Sequence, residues 1–136
     1  MRNGFTLVEL VIAMLVLAIL TAIAVPTYTN YTHRAKRSDA TRTMTVDAQA
    51  LERCYSQGFT YVGCAQVSSS APTPQGYYTV TVTMTANSYS ITAVPVSPGP
   101  QTSDSACQTF QLNNAGTQGA LDGSGNSNTQ TCWGST

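Results

Sequence analysis

Residues 4–25 read GFTLVELVIAMLVLAILTAIAV, and within this run Glu9 is the only ionisable side chain. A stretch of about 20 apolar residues is long enough to cross a bilayer as a helix. A carboxylate inside such a helix costs roughly 2.5–3.5 kcal/mol near its centre and less near an end. Leu, Val or Ile at position 9 would insert more readily. Glu9 therefore calls for a partner, and an ionisable group at membrane depth is read first as functional.

Outside this run the chain is short. Its 136 residues allow one small domain beside the apolar segment. Charged residues make up 9% and the formal net charge is zero, so placement says more than the total. Arg2, Arg34, Lys36, Arg37, Arg42 and Arg53 all precede position 54, and beyond it the only charges are Asp104 and Asp122. The C-terminal part is instead rich in Ser, Thr, Asn and Gln. Such a surface has no electrostatic footprint for phosphates, which argues against nucleic acid as a partner.

The cysteines are Cys54, Cys64, Cys107 and Cys132. An even count in a small, membrane-targeted chain reads as two disulfides made in an oxidising compartment. Three pairings exist, and the sequential one, Cys54–Cys64 with Cys107–Cys132, is favoured. Closing these two loops is worth about 2.8 and 3.5 kcal/mol in the chain-entropy picture. A metal site reads poorly, because no C-x-x-C occurs and the only histidine, His33, lies far from any cysteine in sequence. His33 itself reads as an exposed helix residue.

Downstream of the apolar run, Pro26 is expected to kink the helix or interrupt its hydrogen bonding. The pattern then turns amphipathic. Tyr28, Tyr31, Ala35, Ala40, Met44, Ala48, Leu51 and Tyr55 recur at helical spacing and predict one apolar stripe. The charged residues from Arg34 to Asp47 fall mostly on other faces. The whole helix would be about 50 residues, or roughly 75 Å, and a domain this small is expected to bury only half of it.

Residues 68–76, SSSAPTPQG, read as a linker. At 78–86 the period switches to two: Tyr78, Val80, Val82, Met84 and Ala86 alternate with threonines, the mark of a half-buried strand. Asn87 suits a tight turn, and Tyr89, Ile91 and Ala93 carry the alternation back. VSPGPQTSDS reads as a loop, followed by a strand that turns Phe110 and Leu112 inward. The tail from Asn113, rich in Gly, Asn and Ser, would be floppy without Cys132 to tie it down. A long helix followed by an antiparallel sheet of four strands, or three, is an α+β fold.

Two plain readings of the N-terminus compete. A secretory signal peptide could be cut after Ala22-Ile23-Ala24, but the apolar run is longer than the usual h-region and holds a glutamate. A simple membrane anchor leaves Glu9 unexplained. A third reading uses these features together. GFTLVEL at positions 4–10 closely resembles the processing site of type IV prepilins. NYTHRAKRSDA (30–40), ALERCYSQGFTYVGC (50–64), QGYYTV (75–80) and SYSITAVP (88–95) resemble type IVa pilins, in particular PilE-like minor pilins.

That resemblance implies the type IV pilin fold: a long kinked N-terminal α-helix on a small antiparallel β-sheet, with a C-terminal loop closed by a disulfide. It implies residues 1–4 as a leader, 5–26 as the transmembrane and assembly helix, and 27–136 as the periplasmic or extracellular head. A prepilin peptidase would cut between Gly4 and Phe5 and methylate the new amine of Phe5. Glu9 would face the amine of a neighbouring subunit, and Pro26 would mark where the helix loosens in a filament. Other pilin subunits, an inner-membrane assembly platform and an outer-membrane secretin of a Gram-negative cell are the implied partners. The implied function is a filament subunit supporting twitching motility, adhesion or DNA uptake, passing from the inner membrane to the cell surface.

No enzyme is expected. Beyond Arg53 there is no His or Lys and no pair of carboxylates at a useful spacing, and no Ser or Thr has an evident base. No cofactor is implied. Two other roles stay open within the resemblance, a DNA-uptake receptor minor pilin and a type II secretion pseudopilin. The bare head argues against the first. The paired cysteines and the lack of an acidic calcium cluster argue against the second.

Overall fold

A computed structural model describes residues 6–134 of the chain. It forms two units, one ending at Thr32 and the other beginning at His33. Among the described residues a single helix, α1 (Leu7–Gly58), runs through the first unit and opens the second. Thr6 caps its start, with its Oγ1 accepting a hydrogen bond from the Glu9 backbone N–H at 3.3 Å. Thr6 and Glu9 stand at the spacing of a capping box, and a carboxylate in the first turn complements the helix dipole. The helix continues through Pro26, although proline donates no backbone hydrogen bond. It stops at Gly58, where Phe59 takes a left-handed φ of 52° and donates its N–H to the Tyr55 carbonyl at 2.7 Å.

The sheet has five strands, not four: β1 (Ser70–Pro72), β2 (Tyr78–Met84), β3 (Tyr89–Pro95), β4 (Thr109–Asn113) and β5 (Gln118–Leu121), in that order and all antiparallel. Its inner face follows the period-two pattern. Tyr78, Val80 and Val82 on β2, Ile91 and Ala93 on β3, Phe110 and Leu112 on β4, and Ala120 on β5 are buried with Ala40, Met44 and Leu51 of α1. Burying each large side chain of this group contributes about 1.5–3 kcal/mol. Phe110 holds the centre, edge-on to both Tyr78 and Trp133.

Several sequence-based expectations are corrected. The stretch read as a linker contains β1, an edge strand, which is where a proline such as Pro72 is tolerated. Its register is fixed by Thr73, whose N–H donates to the Tyr78 carbonyl at 2.8 Å and whose Oγ1 accepts from the Tyr78 N–H at 3.1 Å. VSPGPQTSDS contains a 3-10 turn (Pro100–Ser103) that buries Gln101, with Asp104 buried just after it. The tail is tied down by Cys132, as expected, and by local polar bonds as well. The Asp122 carboxylate accepts from the backbone of Ser124 and Asn126, and Asn128 Nδ2 donates to the Ala106 carbonyl. A short helix, α2 (Thr129–Trp133), ends it, and Trp133 Nε1 donates to the Gly119 carbonyl at 2.8 Å.

The predicted apolar stripe also divides. Ala40, Met44 and Leu51 are buried, whereas Tyr28 and Tyr31 are 69% and 70% exposed. Ala35 is exposed too. Helical spacing marks a face without saying how far along it the sheet reaches.

Candidate functional site

In the first unit, every side chain from Leu7 to Tyr31 is exposed, and the apolar ones dominate. The segment is long and apolar enough to cross a membrane. Glu9 is the one ionisable group from Thr6 through Val25. Gly4 and Phe5 lie outside the described residues. Pro26 sits inside α1, followed by threonines whose hydroxyls bond back into the helix, Thr27 to the Ile23 carbonyl and Thr29 to that of Pro26.

In the second unit, α1 is fastened to the 3-10 turn by a buried polar cluster. Arg37 Nε donates to Asp104 Oδ2 and Nη2 to Oδ1, both at 2.7 Å. Gln101 Nε2 donates to the Tyr78 hydroxyl at 2.7 Å, and its Oε1 lies 3.0 Å from His33 Nδ1. The hydrogen-bonded Asp104 carboxylate raises the Arg37 pKa. Burial pushes the Tyr78 phenol up to about 12. These groups work as a structural clamp, because arginine stays charged and the phenol stays neutral at ordinary pH.

Arg37 is thus an exception to the expectation that the charged residues of this stretch fall mostly away from the apolar stripe, and His33 is half-buried rather than exposed. Asp104 carried the missed signal: it is one of two carboxylates beyond Arg53, and a lone charge in a neutral region needs a partner. The other basic residues differ. Arg34, Arg42 and Arg53 are exposed, and Lys36 Nζ stands 5.3 Å from the centre of the Tyr77 ring.

Both disulfides join cysteines that are consecutive in the order of the chain's four. Cys54 bridges to Cys64 with Cα atoms 6.0 Å apart, tying the end of α1 to the following loop. Cys107 bridges to Cys132 at 5.6 Å, tying α2 to the segment ahead of β4. Among the described residues no three His, Cys, Asp or Glu side chains are grouped to hold a metal ion.

Residues 1–25 match the family described as the prokaryotic N-terminal methylation motif. Residues 26–111 match the family described as type IV minor pilin ComP, DNA uptake sequence receptor. The chain is similar to prepilin peptidase-dependent protein D of Escherichia coli, 34% identical over 73 residues that cover 54% of this chain and 50% of that one. It is 41% identical to the type IV major fimbrial protein FimA of Dichelobacter nodosus over 61 residues, 43% of this chain and 37% of the relative. With the type IV major pilin protein PilE of Neisseria gonorrhoeae it shares 48% identity over 40 residues, 29% and 24% of the two chains. The matched stretches thus span half or less of each of these relatives. A solved type IV pilin from Shewanella oneidensis is 30% identical, with a TM-score of 0.47 over 63% of this chain and 89% of that one.

Proposed function

Since the chain belongs to the type IV minor pilin family described as ComP, DNA uptake sequence receptor, we propose that it is stored as a single-pass inner-membrane precursor and assembled into a pilus through its N-terminal helix. The observation that carries this reading is the lone carboxylate of Glu9 in an exposed apolar helix. In this reading a prepilin peptidase cuts between Gly4 and Phe5 and methylates the Phe5 amine. Glu9 then meets the Phe5 amine of a neighbouring subunit. Two opposite charges that meet only on assembly neutralise each other in a low-dielectric core, where pairing counts most. Pro26, which donates no helix bond, is where α1 can lengthen. An inner-membrane platform adds subunits, and a secretin passes the filament through the outer membrane of a Gram-negative cell. Twitching motility, adhesion and DNA uptake are the roles such a filament supports.

The description of the matched family favours a second reading, in which this subunit also contacts incoming DNA. Charge placement ranks it below assembly. The five strands carry no charged residue, so phosphates would have to meet the cations of α1.

Mass spectrometry of sheared filaments tests the first reading. It is expected to find this chain there, beginning with N-methyl-Phe5, and Gly4→Val is expected to block cleavage. A mature N-terminus at Val25 would establish an ordinary signal peptide instead.

A further inference from the structure

Arg34 and Arg37 lie one turn apart on α1 and line a cleft of about 480 Å³, closed on the far side by Gln130, Thr131 and Trp133 of α2. The Arg37 side chain is only 10% exposed and commits Nε and Nη2 to Asp104. Among the described residues its Nη1 makes no hydrogen bond, and neither does the exposed Arg34 guanidinium. Among the described residues no carboxylate side chain lines the cleft, and both oxygens of Asp104 are taken up by Arg37. What remains is a net positive, donor-rich recess of the size that holds small ligands. Subunit assembly through the apolar helix gives it no role.

We propose that this cleft binds the phosphate of an anionic phospholipid headgroup while the subunit resides in the membrane. The place of these residues in the chain favours that ligand. The apolar run ends at Val25, Tyr28 and Tyr31 follow as exposed aromatics of the kind that settle at the headgroup level, and Arg34 comes within about ten residues of the run. A basic residue just outside a span is drawn to anionic headgroups wherever the adjoining leaflet carries them. The planar guanidinium fork suits phosphate, and Arg37 is held ready by its bond to Asp104. The two arginines of the cleft thus gain a partner that is left behind when the subunit is extracted.

The inference rests on the membrane-storage reading. If that reading fails, the full chain will not be retained in membranes at all, whereas loss of the headgroup site alone leaves retention intact. Trp133 is the only tryptophan, and its indole is fixed by the Gly119 carbonyl, so its emission reports on the cleft. The test titrates the full-length chain, in neutral detergent, with short-chain phosphatidylglycerol, phosphatidylcholine of the same length, inorganic phosphate and duplex DNA. Phosphatidylglycerol is expected to give a saturable change, at least about tenfold tighter than phosphatidylcholine, with inorganic phosphate competing weakly. Arg34→Gln and Thr131→Asp are each expected to weaken it about tenfold, with the circular dichroism and both disulfides unchanged. Equal response to the two lipids, or unaltered binding in both variants, overturns the proposal. DNA binding more tightly than the lipid, and losing that affinity in Arg34→Gln, would reassign the cleft to nucleic acid.

Discussion

Arg37 and Asp104, 67 residues apart in sequence, meet in two parallel hydrogen bonds of 2.7 Å between a guanidinium and a carboxylate that are both buried. Removing one partner strands the other charge. Asp104→Ala is expected to destabilise the head by about 3–5 kcal/mol in urea unfolding, while Arg37→Met with Asp104→Leu recovers most of that loss. A single variant that unfolds at the wild-type midpoint would show that the pair contributes nothing.

This pair also marks the limit of what could be read in the sequence. The long helix and the β2–β3 hairpin were legible because each repeats a period over many residues: an unbroken apolar run passing into helical spacing for α1, strict alternation from Tyr78 to Ala93 for the hairpin. β1 and β5 have three and four residues and little alternation, too short for a period to show. They exist because β2 and β4 offer edges to pair with. The Arg37–Asp104 clamp depends on where a Pro/Gly-rich loop returns to the helix, which no local pattern records. At the candidate site, Glu9 was legible because a charge in an apolar run violates the local rule.

The two disulfides are expected to differ in weight. Cys107 and Cys132 are both buried in the core and close a span of 25 residues, against 10 for Cys54 and Cys64. Replacing the first pair by serine is expected to cost about 3.5 kcal/mol and the second about 2.8 kcal/mol from chain entropy alone. Buried hydroxyls at 107 and 132 widen the gap. Thermal melts of the two double variants check the order.

Alkali is expected to weaken the head through its tyrosines. Burial raises the Tyr78 phenol from its ordinary 10.0 to about 12, and Tyr61 and Tyr89 shift the same way, chiefly through burial. A group whose folded pKa is raised contributes stability that is complete below its unfolded value and lost as pH climbs through the folded one. Stability is therefore expected to be level up to about pH 10 and to fall steadily towards pH 12. Tyr78→Phe is expected to make that fall shallower, while costing about 1 kcal/mol at neutral pH because Gln101 loses an acceptor. An equally steep fall in the variant would assign the effect to other groups.

For duplex DNA, the cations of the head free of a buried ion pair are Arg34, Lys36, Arg42 and Arg53. Binding by the head at physiological salt is expected to be weak, with log K falling against log salt no more steeply than about −3.6. Tight, sequence-selective binding that maps to β2–β5 would put the receptor role ahead of the structural one.

Glu9→Val tests the reading of the carboxylate itself. The substitution removes a charge from the apolar run, so membrane insertion is expected to be unharmed or improved. The Thr6 cap survives, because it is made to the backbone N–H of residue 9. Cleavage after Gly4 persists, since the residues at the cut are unchanged, and the head keeps both disulfides. Entry into filaments is expected to fall sharply, because the Phe5 amine of a neighbouring subunit would lie in an apolar core without a counter-charge. Glu9→Gln separates charge from polarity: it restores a hydrogen-bonding group, and incorporation stays low if charge is what matters. The measurement is the amount of this subunit in sheared filaments against the amount left in the inner membrane. Wild-type incorporation of a fully processed Glu9→Val chain would show that the carboxylate is kept for some reason other than pairing with that amine.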